Sequence, residues 1–274
     1  MTSGHDLIAR IEASYDGSPR PRADTEEVGP FTLFVARADM KHGYYARPSL
    51  GGTLIPTVDD ARRLLALQRE RDLPRAIEWV DEVTPGLDRA AEEAGYAVER
   101  YPLMALDGEL AGNAGSTRLI DPADEALLVE TRAAIAVAFD NEGTTIGEAG
   151  LAERDAAHDS PHAVLNDSFR EAVAAGDFIL AAAFAPDEPA AGAVGGGSLM
   201  PVGDTAEIAG VGVLPAYRRR GLAAEITYVL GHEGRRRGVD LVFCSADSDD
   251  VARVYAGVGF RRVGTALIAE APAS

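Results

Sequence analysis

The feature that most constrains this chain is a strand that runs, through a glycine-bearing loop, into the first turn of a helix. It spans residues 211–223 and reads Val-Gly-Val-Leu-Pro-Ala-Tyr-Arg-Arg-Arg-Gly-Leu-Ala. Unpaired backbone N–H groups and the positive end of the dipole make a helix N-terminus suited to a phosphate. Three arginines stand at this junction, although the formal net charge of the chain is -18. The segment therefore predicts an anion-binding cradle on an acid-rich protein.

Length and composition restrict the class of protein. The 274 residues suit two small α/β domains better than one compact domain. With 46% hydrophobic and 26% charged residues, the composition is that of a soluble globular protein. No apolar run reaches the roughly 18 residues of a membrane span. The acidic excess argues against general nucleic-acid binding, which relies on a basic surface.

Cysteine usage and the N-terminus bear on the compartment. Cys244 is the single cysteine, so an internal disulfide and a thiolate metal cluster are excluded. Residues 1–10 do not have the basic start and apolar core of a secretory signal, and we expect a cytoplasmic protein. His158 and His162 are close in sequence, but Pro161 lies between them and no third ligand is evident. We therefore expect no metal site.

Periodicity and turn residues predict alternating strands and helices. Residues 1–30 are polar and predict one short helix followed by a loop, and residues 140–160 predict an acidic, glycine-bearing loop. Short turns between residues 178 and 214 favour an antiparallel meander. Helices are predicted at 6–15, 57–71, 84–95, 121–139, 163–175, 221–237 and 249–256. Strands are predicted at 31–36, 76–82, 96–106, 117–120, 178–184, 191–200, 206–214, 240–245 and 261–268.

A glycine-rich segment at residues 107–116 is the best candidate linker, so we predict an N-terminal domain over 1–112 and a C-terminal domain over 113–274. The two halves share a faint repeat of strand, helix cap, glycine, aromatic residue and strand. Both chance and duplication explain the equal spacing in the two halves. Because the cap, the glycine and the aromatic residue all recur at the same intervals, duplication is favoured. The corresponding residues are Trp79 and Phe243, Thr84 and Ser248, Gly95 and Gly259, and Tyr96 and Phe260.

Glycines in the strand at 206–214 leave backbone uncovered near its C-terminal end. Alternation places Gly210 and Gly212 on one face of the strand. Glycines at these positions indicate either that a ligand approaches the uncovered backbone or that a helix packs closely against it. In the loop that follows, Gly221 can adopt backbone angles barred to other residues and lets a phosphate approach the neighbouring N–H groups.

The string Arg-x-x-Gly-x-Ala at 218–223, preceded by Val-x-Val-x-Pro at 211–215, resembles the cofactor loop of the GCN5-related N-acetyltransferase (GNAT) family. The resemblance covers about residues 117–270. Downstream, residues 248–260 are similar to the family ending Asn-x-x-Ala-x-x-x-Tyr-x-x-x-Gly-Phe, with Ser248 and Val251 in place of the usual asparagine and alanine.

This resemblance implies an α/β (α+β) fold with two GNAT-like domains, each a mixed, mostly antiparallel twisted sheet flanked by helices, the N-terminal one degenerate. It implies acetyl-CoA as cosubstrate, with backbone groups of the strand meeting pantetheine and the acetyl carbonyl, and those of the loop meeting the pyrophosphate. The residues expected to bind acetyl-CoA are Val211, Gly212, Val213, Arg218, Arg219, Arg220, Gly221, Leu222, Ala223, Ala224 and Ser248.

Two side chains are the expected catalytic groups. The resemblance implies that Tyr255 protonates the departing thiolate, although its place on an apolar helical stripe also fits a core aromatic residue. Glu207 is the candidate base for the attacking amine, directly or through water, and a solvated strand-end carboxylate is an equal interpretation. Glu148 and Asp159 are weaker candidates for the base.

The expected function is N-acetyl transfer from acetyl-CoA to a primary amine of a small molecule, directly within a ternary complex. A non-catalytic acyl-CoA sensor or interaction module on the same fold is the alternative, and a longer acyl donor is a third. The acidic residues at 140–159 suit a cationic amine or are merely solvated. A homodimer stays open, and neither nucleic acid nor a membrane is expected as a partner.

Overall fold

The computed structural model describes residues 4–37, 43–106 and 108–272. These residues form two compact units, one from the described parts of Met1–Leu103 and Val263–Ser274, and the other from Met104–Arg262. The division differs from the predicted boundary between residues 112 and 113.

The glycine-rich segment that suggested the boundary packs within the second unit. The amide of Ala111 donates to the carbonyl of Val258 at 3.0 Å, and the amide of Ser116 donates to the Glu225 carboxylate at 2.9 Å. The segment is therefore held by hydrogen bonds of its own unit. Asp107, at its start, lies outside the described residues.

Helices and strands alternate along the described chain, as the periodicity predicts. The helices are α1 (Gly4–Gly17), α2 (Val58–Glu70), α3 (Leu87–Ala94), α4 (Glu125–Phe139), α5 (Leu151–Ala156), α6 (Asp167–Ala175), α7 (Leu222–Arg236) and α8 (Asp249–Val258). The strands are β1 (Ala23–Val28), β2 (Phe31–Ala36), β3 (Arg47–Pro48), β4 (Ala76–Val80), β5 (Ala97–Leu106), β6 (Thr117–Leu119), β7 (Ile179–Phe184), β8 (Ala193–Val202), β9 (Thr205–Val213), β10 (Leu241–Ser245) and β11 (Phe260–Glu270).

In the first unit, β1, β2 and β3 form an antiparallel sheet, and β4 pairs antiparallel with β11. Just before β3, Ala46 forms a parallel bridge with Ile77 of β4. Helix α2 begins at the predicted cap, because the Thr57 hydroxyl and the Asp60 carboxylate form a reciprocal capping box. The buried core of this unit is built around Trp79, Phe31 and other fully enclosed side chains of the sheet and of α2.

In the second unit, β6, β7, β8 and β9 form the predicted antiparallel meander, and β10 adds to it parallel to β9. Helices cover both faces. A side chain at Gly196 of β8 would meet Thr131 of α4, and one at the next residue, Gly197, would meet Ile226 of α7. Because successive residues of a strand point to opposite faces, α4 and α7 lie on opposite sides of this sheet. The mixed fold, with sheets flanked by helices, is thus confirmed.

Several element predictions are wrong at segments with weak local signals. Residues 23–28 form β1 instead of a loop, and only the two end residues of that strand are buried. Six residues of the predicted loop at 140–160 form α5. Helix α6 starts after the cap Asn166, later than predicted.

The start of α3 also differs from the prediction. The helix begins at Leu87 after Gly86, which adopts a left-handed φ of 86°, so Thr84 is not its N-cap. The amide of Thr84 instead bonds to Val80 and closes the turn that leaves β4. No helix in the described parts of the chain has the length and apolarity that crossing a bilayer requires.

Candidate functional site

Strand β9 carries a β-bulge where the sequence places its glycines. Gly196 opposes Gly212 and Ser198 opposes Ala209, so the single residue between them on β8 faces two residues of β9, Gly210 and Val211. Gly210 has a left-handed φ of 63°, which a glycine adopts without strain. The strict alternation predicted along β9 therefore ends at the bulge.

The two glycines of β9 have different surroundings. A Cβ atom at Gly212 would lie 2.9 Å from the Cβ of Ala138, so α4 packs directly against this glycine. A Cβ atom at Gly210 would find only a methyl group of Ile135, at 4.0 Å. Close helix packing explains Gly212, and backbone geometry explains Gly210.

Strands β9 and β10 are paired only near the start of β9. Their parallel register runs from Thr205 opposite Leu241 to Glu207 opposite Phe243. Residues 208–213 of β9 lie beyond that register. Their edge toward β10 is therefore available for hydrogen bonds to a ligand laid along the strand.

Between β9 and α7 the loop leaves a run of backbone amides unbonded. The chain passes through left-handed conformations at Arg219 (φ 64°) and Gly221 (φ 87°), and Gly221 caps α7 without a side-chain hydrogen bond. Within the described chain, no acceptor bonds the N–H groups of residues 219–223. A Cβ atom at Gly221 would meet nothing within 4 Å. These unbonded amides form an open nest suited to an anion.

The run of unbonded amides is shorter than the predicted cradle, which spanned residues 218–224. The Arg218 amide donates to the carbonyl of Pro215 at 3.3 Å, and the Ala224 amide donates to that of Gly221 at 3.0 Å. Both donors are used within the fold. The amides of residues 219–223, which lie between them, are available to donate to an oxyanion.

The three arginine side chains of this loop have separate surroundings. Arg218 donates only to backbone carbonyls, and burial lowers the pKa of its guanidinium. Arg220 pairs with Asp187 at 3.1 Å and lies over the ring of Tyr217. Arg219 is exposed and has no hydrogen bond or ion pair with the described residues.

The turn between β7 and β8 also holds the loop, which the sequence did not indicate. Tyr217 is buried and its hydroxyl donates to the Glu188 carboxylate at 2.7 Å. Together with the pair between Arg220 and Asp187, this contact fixes the loop from outside its own segment. In the sequence, the only indication of these contacts is the pair of acidic residues in the turn, Asp187 and Glu188.

Tyr255 lies on α8 and is 5% exposed. Its ring centroid is 6.2 Å from that of Phe260, so the ring is part of the core. Its hydroxyl has no hydrogen bond with any described residue. Burial raises the pKa of Tyr255 well above its usual value, and electrostatic interactions with Cys244 and Asp247 raise it further.

Glu207 is half-buried on β9, in the register position beside Phe243 of β10. The next residue of β10 is Cys244, which is fully buried as predicted. Burial raises the pKa of the Cys244 thiol, and the Glu207 carboxylate raises it further. Cys244 in turn raises the pKa of Tyr255, so this buried thiol interacts electrostatically with both the predicted base and the predicted acid.

Ser248 has the capping role that the sequence predicts. Its hydroxyl accepts a hydrogen bond from the Val251 amide at 3.4 Å, at the N-terminus of α8. Its expected contact with acetyl-CoA stays a prediction, as do the ligand contacts of Val211, Val213 and Leu222.

The segment after α4 presents acidic and apolar side chains together. Of its acidic residues, Glu153 accepts a hydrogen bond from the Gly150 amide and Asp155 pairs with Arg154. The others are exposed and have no partner within the described chain, namely Asp140, Glu142, Glu148 and Asp159. Phe139 and Ile146 are 60% and 66% exposed beside them. This surface suits a ligand that carries both a positive charge and an apolar group.

Of the two histidines that are close in sequence, His158 lies beside an acidic side chain. His158 Nε2 lies 3.9 Å from an Asp155 oxygen. In the parts of the chain that the structure describes, no group of three or more His, Cys, Asp or Glu side chains is placed to hold a metal ion.

Comparisons with known proteins identify a family and similar folds. A model of the acetyltransferase (GNAT) family matches residues 119–260. The chain is similar to the structure of a GCN5-related N-acetyltransferase from Kribbella flavida, with a TM-score of 0.68 and 20% identity over 98% of this chain and 96% of that chain. It is also similar to a putative acetyltransferase from the GNAT family from Novosphingobium aromaticivorans, with a TM-score of 0.57 and 17% identity over 99% and 100% of the two chains.

A further similar structure is a functionally unknown conserved protein from Staphylococcus epidermidis, with a TM-score of 0.51 and 14% identity over 90% of this chain and 93% of that one. At these identities the solved structures establish the fold alone. No curated protein matches the sequence significantly.

Proposed function

Because the chain belongs to the acetyltransferase (GNAT) family, we propose that it transfers acetyl from acetyl-CoA to a primary amine of a small molecule, directly within a ternary complex. The observation that carries the proposal is the run of unbonded amides at residues 219–223, at the open N-terminus of α7. A folded protein seldom leaves so many adjacent donors without acceptors unless a ligand or water supplies them.

Two parts of the site fit acetyl-CoA, namely the nest of amides and the edge of β9. The open amides beside Gly221 suit a pyrophosphate, since the dipole of α7 adds favourable potential there. The edge of β9 beyond Glu207 suits the amide groups of a pantetheine arm, because it offers backbone donors and acceptors in an extended strand.

When bound, acetyl-CoA supplies the acetyl group as a thioester. A backbone N–H near the bulge at Gly210 would polarise the acetyl carbonyl. Glu207 would accept the proton that the attacking amine loses.

Tyr255 would donate its hydrogen toward the departing sulfur. Its raised pKa keeps the phenol protonated at neutral pH, as a donor must be. A thiol has a pKa of about 8.5, well below that of this phenol, so complete proton transfer from Tyr255 would be uphill. We therefore assign Tyr255 the role of stabilising the thiolate through a hydrogen bond.

The acceptor proposed is a cationic amine with an apolar portion. Unpaired carboxylates at Asp140, Glu142 and Glu148 would attract the positive charge before the amine loses its proton, and Phe139 and Ile146 would contact the apolar part.

We also propose that the N-terminal half is a degenerate copy of the same unit. The short helices α3 and α8 both end at a left-handed glycine, Gly95 and Gly259. In each half, the segment before the long helix pairs in parallel with the strand after that helix. At the position that corresponds to Tyr255, the first half has Ala91, so it has no phenol to assist a leaving thiolate.

The test is an amine-library assay with acetyl-CoA, read out by release of free thiol, together with calorimetric titration of acetyl-CoA. Binding with turnover on at least one amine supports the proposal. Binding without turnover on any amine would favour the acyl-CoA sensor, and no binding at all would refute both.

A further inference from the structure

Arg218 is the first residue of the motif that suggested phosphate binding, but its guanidinium is engaged by backbone carbonyls. It donates to the carbonyls of residues on either side of the loop. The distances are 3.2 Å from Nε to Val213, 3.3 Å from Nη1 to Thr145, and 3.1 and 2.5 Å from Nη2 to Ala138 and Asn141. No carboxylate of the described chain pairs with it.

Three of these four acceptors belong to the end of α4 and the loop that follows. The last carbonyls of a helix have no intrahelical partner and carry the negative end of its dipole. A guanidinium fork can satisfy several such carbonyls at once, in a geometry that an ammonium group cannot reproduce. Arg218 therefore acts as a C-terminal cap for α4, supplied from the loop that precedes α7.

A second set of contacts joins the same two segments. The Gly147 amide donates to Pro215 at 3.2 Å, and the Ala216 amide donates to Ala149 at 3.0 Å. A Cβ atom at Gly147 would lie 3.0 Å from the Cβ of Pro215, so the backbones are in close approach. The surface that carries Phe139, Ile146 and the unpaired carboxylates is thus attached directly to the loop that forms the open nest.

We propose that Arg218 is a positioning residue that fixes the acceptor-binding segment, residues 138–150, onto the cofactor loop, and that its guanidinium is not a phosphate ligand. The proposal rests on the proposed function in assigning residues 138–150 to the acceptor. The nest has its own supports, since Tyr217 bonds Glu188 and Arg220 pairs with Asp187. Loss of the Arg218 fork should therefore loosen the acceptor side and leave the nest in place.

The experiment compares Arg218→Ala and Arg218→Lys with the wild type and with Arg236→Lys. Arg236 is a matched control, because its guanidinium pairs with Glu233 at the other end of α7 and Arg237 also holds that carboxylate. Melting temperatures are recorded first. If Arg218→Ala does not fold, Arg218→Lys decides the test.

Three quantities are measured: hydrogen exchange of residues 138–150, the Kd for acetyl-CoA, and KM and kcat for the amine that the wild type acetylates best. In both Arg218 variants we expect exchange at 140–150 to accelerate about tenfold or more, as the loss of a hydrogen bond from a charged donor implies. The Kd should stay within about threefold and the acceptor KM should rise about tenfold, with a smaller change in kcat. Arg236→Lys should change none of these quantities.

The opposite pattern would overturn the proposal. A Kd for acetyl-CoA that rises about tenfold in Arg218→Ala and returns to the wild-type value in Arg218→Lys would assign the charge of Arg218 to the phosphates. Unchanged exchange at residues 138–150 would equally refute the positioning role. Exchange and Kd need no acceptor, so they decide the role of Arg218 even if no amine is acetylated, an outcome that refutes only the proposed function.

Discussion

Replacing Gly221 by alanine tests the open nest directly. Gly221 has φ 87° and ψ −4°, a left-handed conformation that costs an L-residue about 1–2 kcal/mol. The methyl group itself would meet nothing within 4 Å, so the direct effect on packing is nil and the strain lies in the backbone. Relief of that strain would move residue 221 out of the left-handed region and turn the amides around it away from a common anion.

The expected loss of binding follows from the number of donors affected. A hydrogen bond to a charged group contributes about 1.5–3 kcal/mol, so misdirecting one or two amides of residues 219–223 should raise the Kd for acetyl-CoA at least about tenfold. The assay is calorimetric titration of acetyl-CoA into wild type and Gly221→Ala at one salt concentration. Salt is held fixed because the ligand is polyanionic.

Gly238 supplies the matched control. It follows the other end of α7, has φ 80°, is exposed, and would also place a Cβ in open space. Gly238→Ala should therefore lower the melting temperature about as much as Gly221→Ala, by about 2–4 °C per kcal/mol of lost stability, without weakening acetyl-CoA binding. Equal Kd values for the two variants would refute the argument that the amides beside Gly221 bind the cofactor.

Three further predictions concern Tyr255, Glu207 and Cys244. Tyr255→Phe should lower kcat about 100-fold with little change in the Kd for acetyl-CoA, and unaltered turnover would remove Tyr255 from the mechanism. Glu207→Gln should lower kcat about 100-fold and abolish the acid limb of the pH–rate profile, whereas a retained limb would place the base elsewhere, for example at Glu148. Cys244 should react with a disulfide reagent only after denaturation, because burial raises the pKa of its thiol, and rapid reaction in the native protein would contradict that burial.

Elements with strong local signals could be predicted from the sequence to within a few residues. Strand β2 has the predicted bounds, and α7 (Leu222–Arg236) lies within the predicted 221–237. Both combine apolar periodicity with a clear start or stop. Strand β1 could not be found, because four of its six residues are exposed and only its pairing with β2 makes it a strand. Helix α5 is too short for periodicity to show.

The candidate site was predictable at its backbone and not at its side chains. The string Arg-x-x-Gly-x-Ala around Gly221 identifies the loop, because a left-handed glycine cap depends on local sequence. The destination of the Arg218 guanidinium is not local, since the carbonyl of Ala138 that it contacts is 80 positions away in the chain. Likewise, the sequence could not distinguish a ligand from a helix at Gly212, where the approach of α4 decides the matter.

The N-termini of helices α2 and α7 have opposite surroundings. Thr57 and Gly221 each precede the long helix of their half by one residue, and each stands at the same interval from the glycine that ends the next short helix. At Thr57 the Asp60 carboxylate occupies the helix N-terminus, and its hydrogen bonds with Thr57 lower the pKa of that acid.

At Gly221 no side chain caps α7, and the adjacent amides have no acceptor in the described chain. A glycine cap costs a helix only about a few tenths of a kcal/mol relative to a threonine cap, and an anion from outside the chain can accept the hydrogen bonds that a cap side chain would have accepted. In α2 the capping box satisfies the amides of Thr57 and Asp60 within the chain, and the Asp60 carboxylate places a negative charge at that helix N-terminus. The proposed phosphate site therefore belongs at the N-terminus of α7, which no side chain occupies, and not at that of α2, where the Asp60 carboxylate would repel an anion.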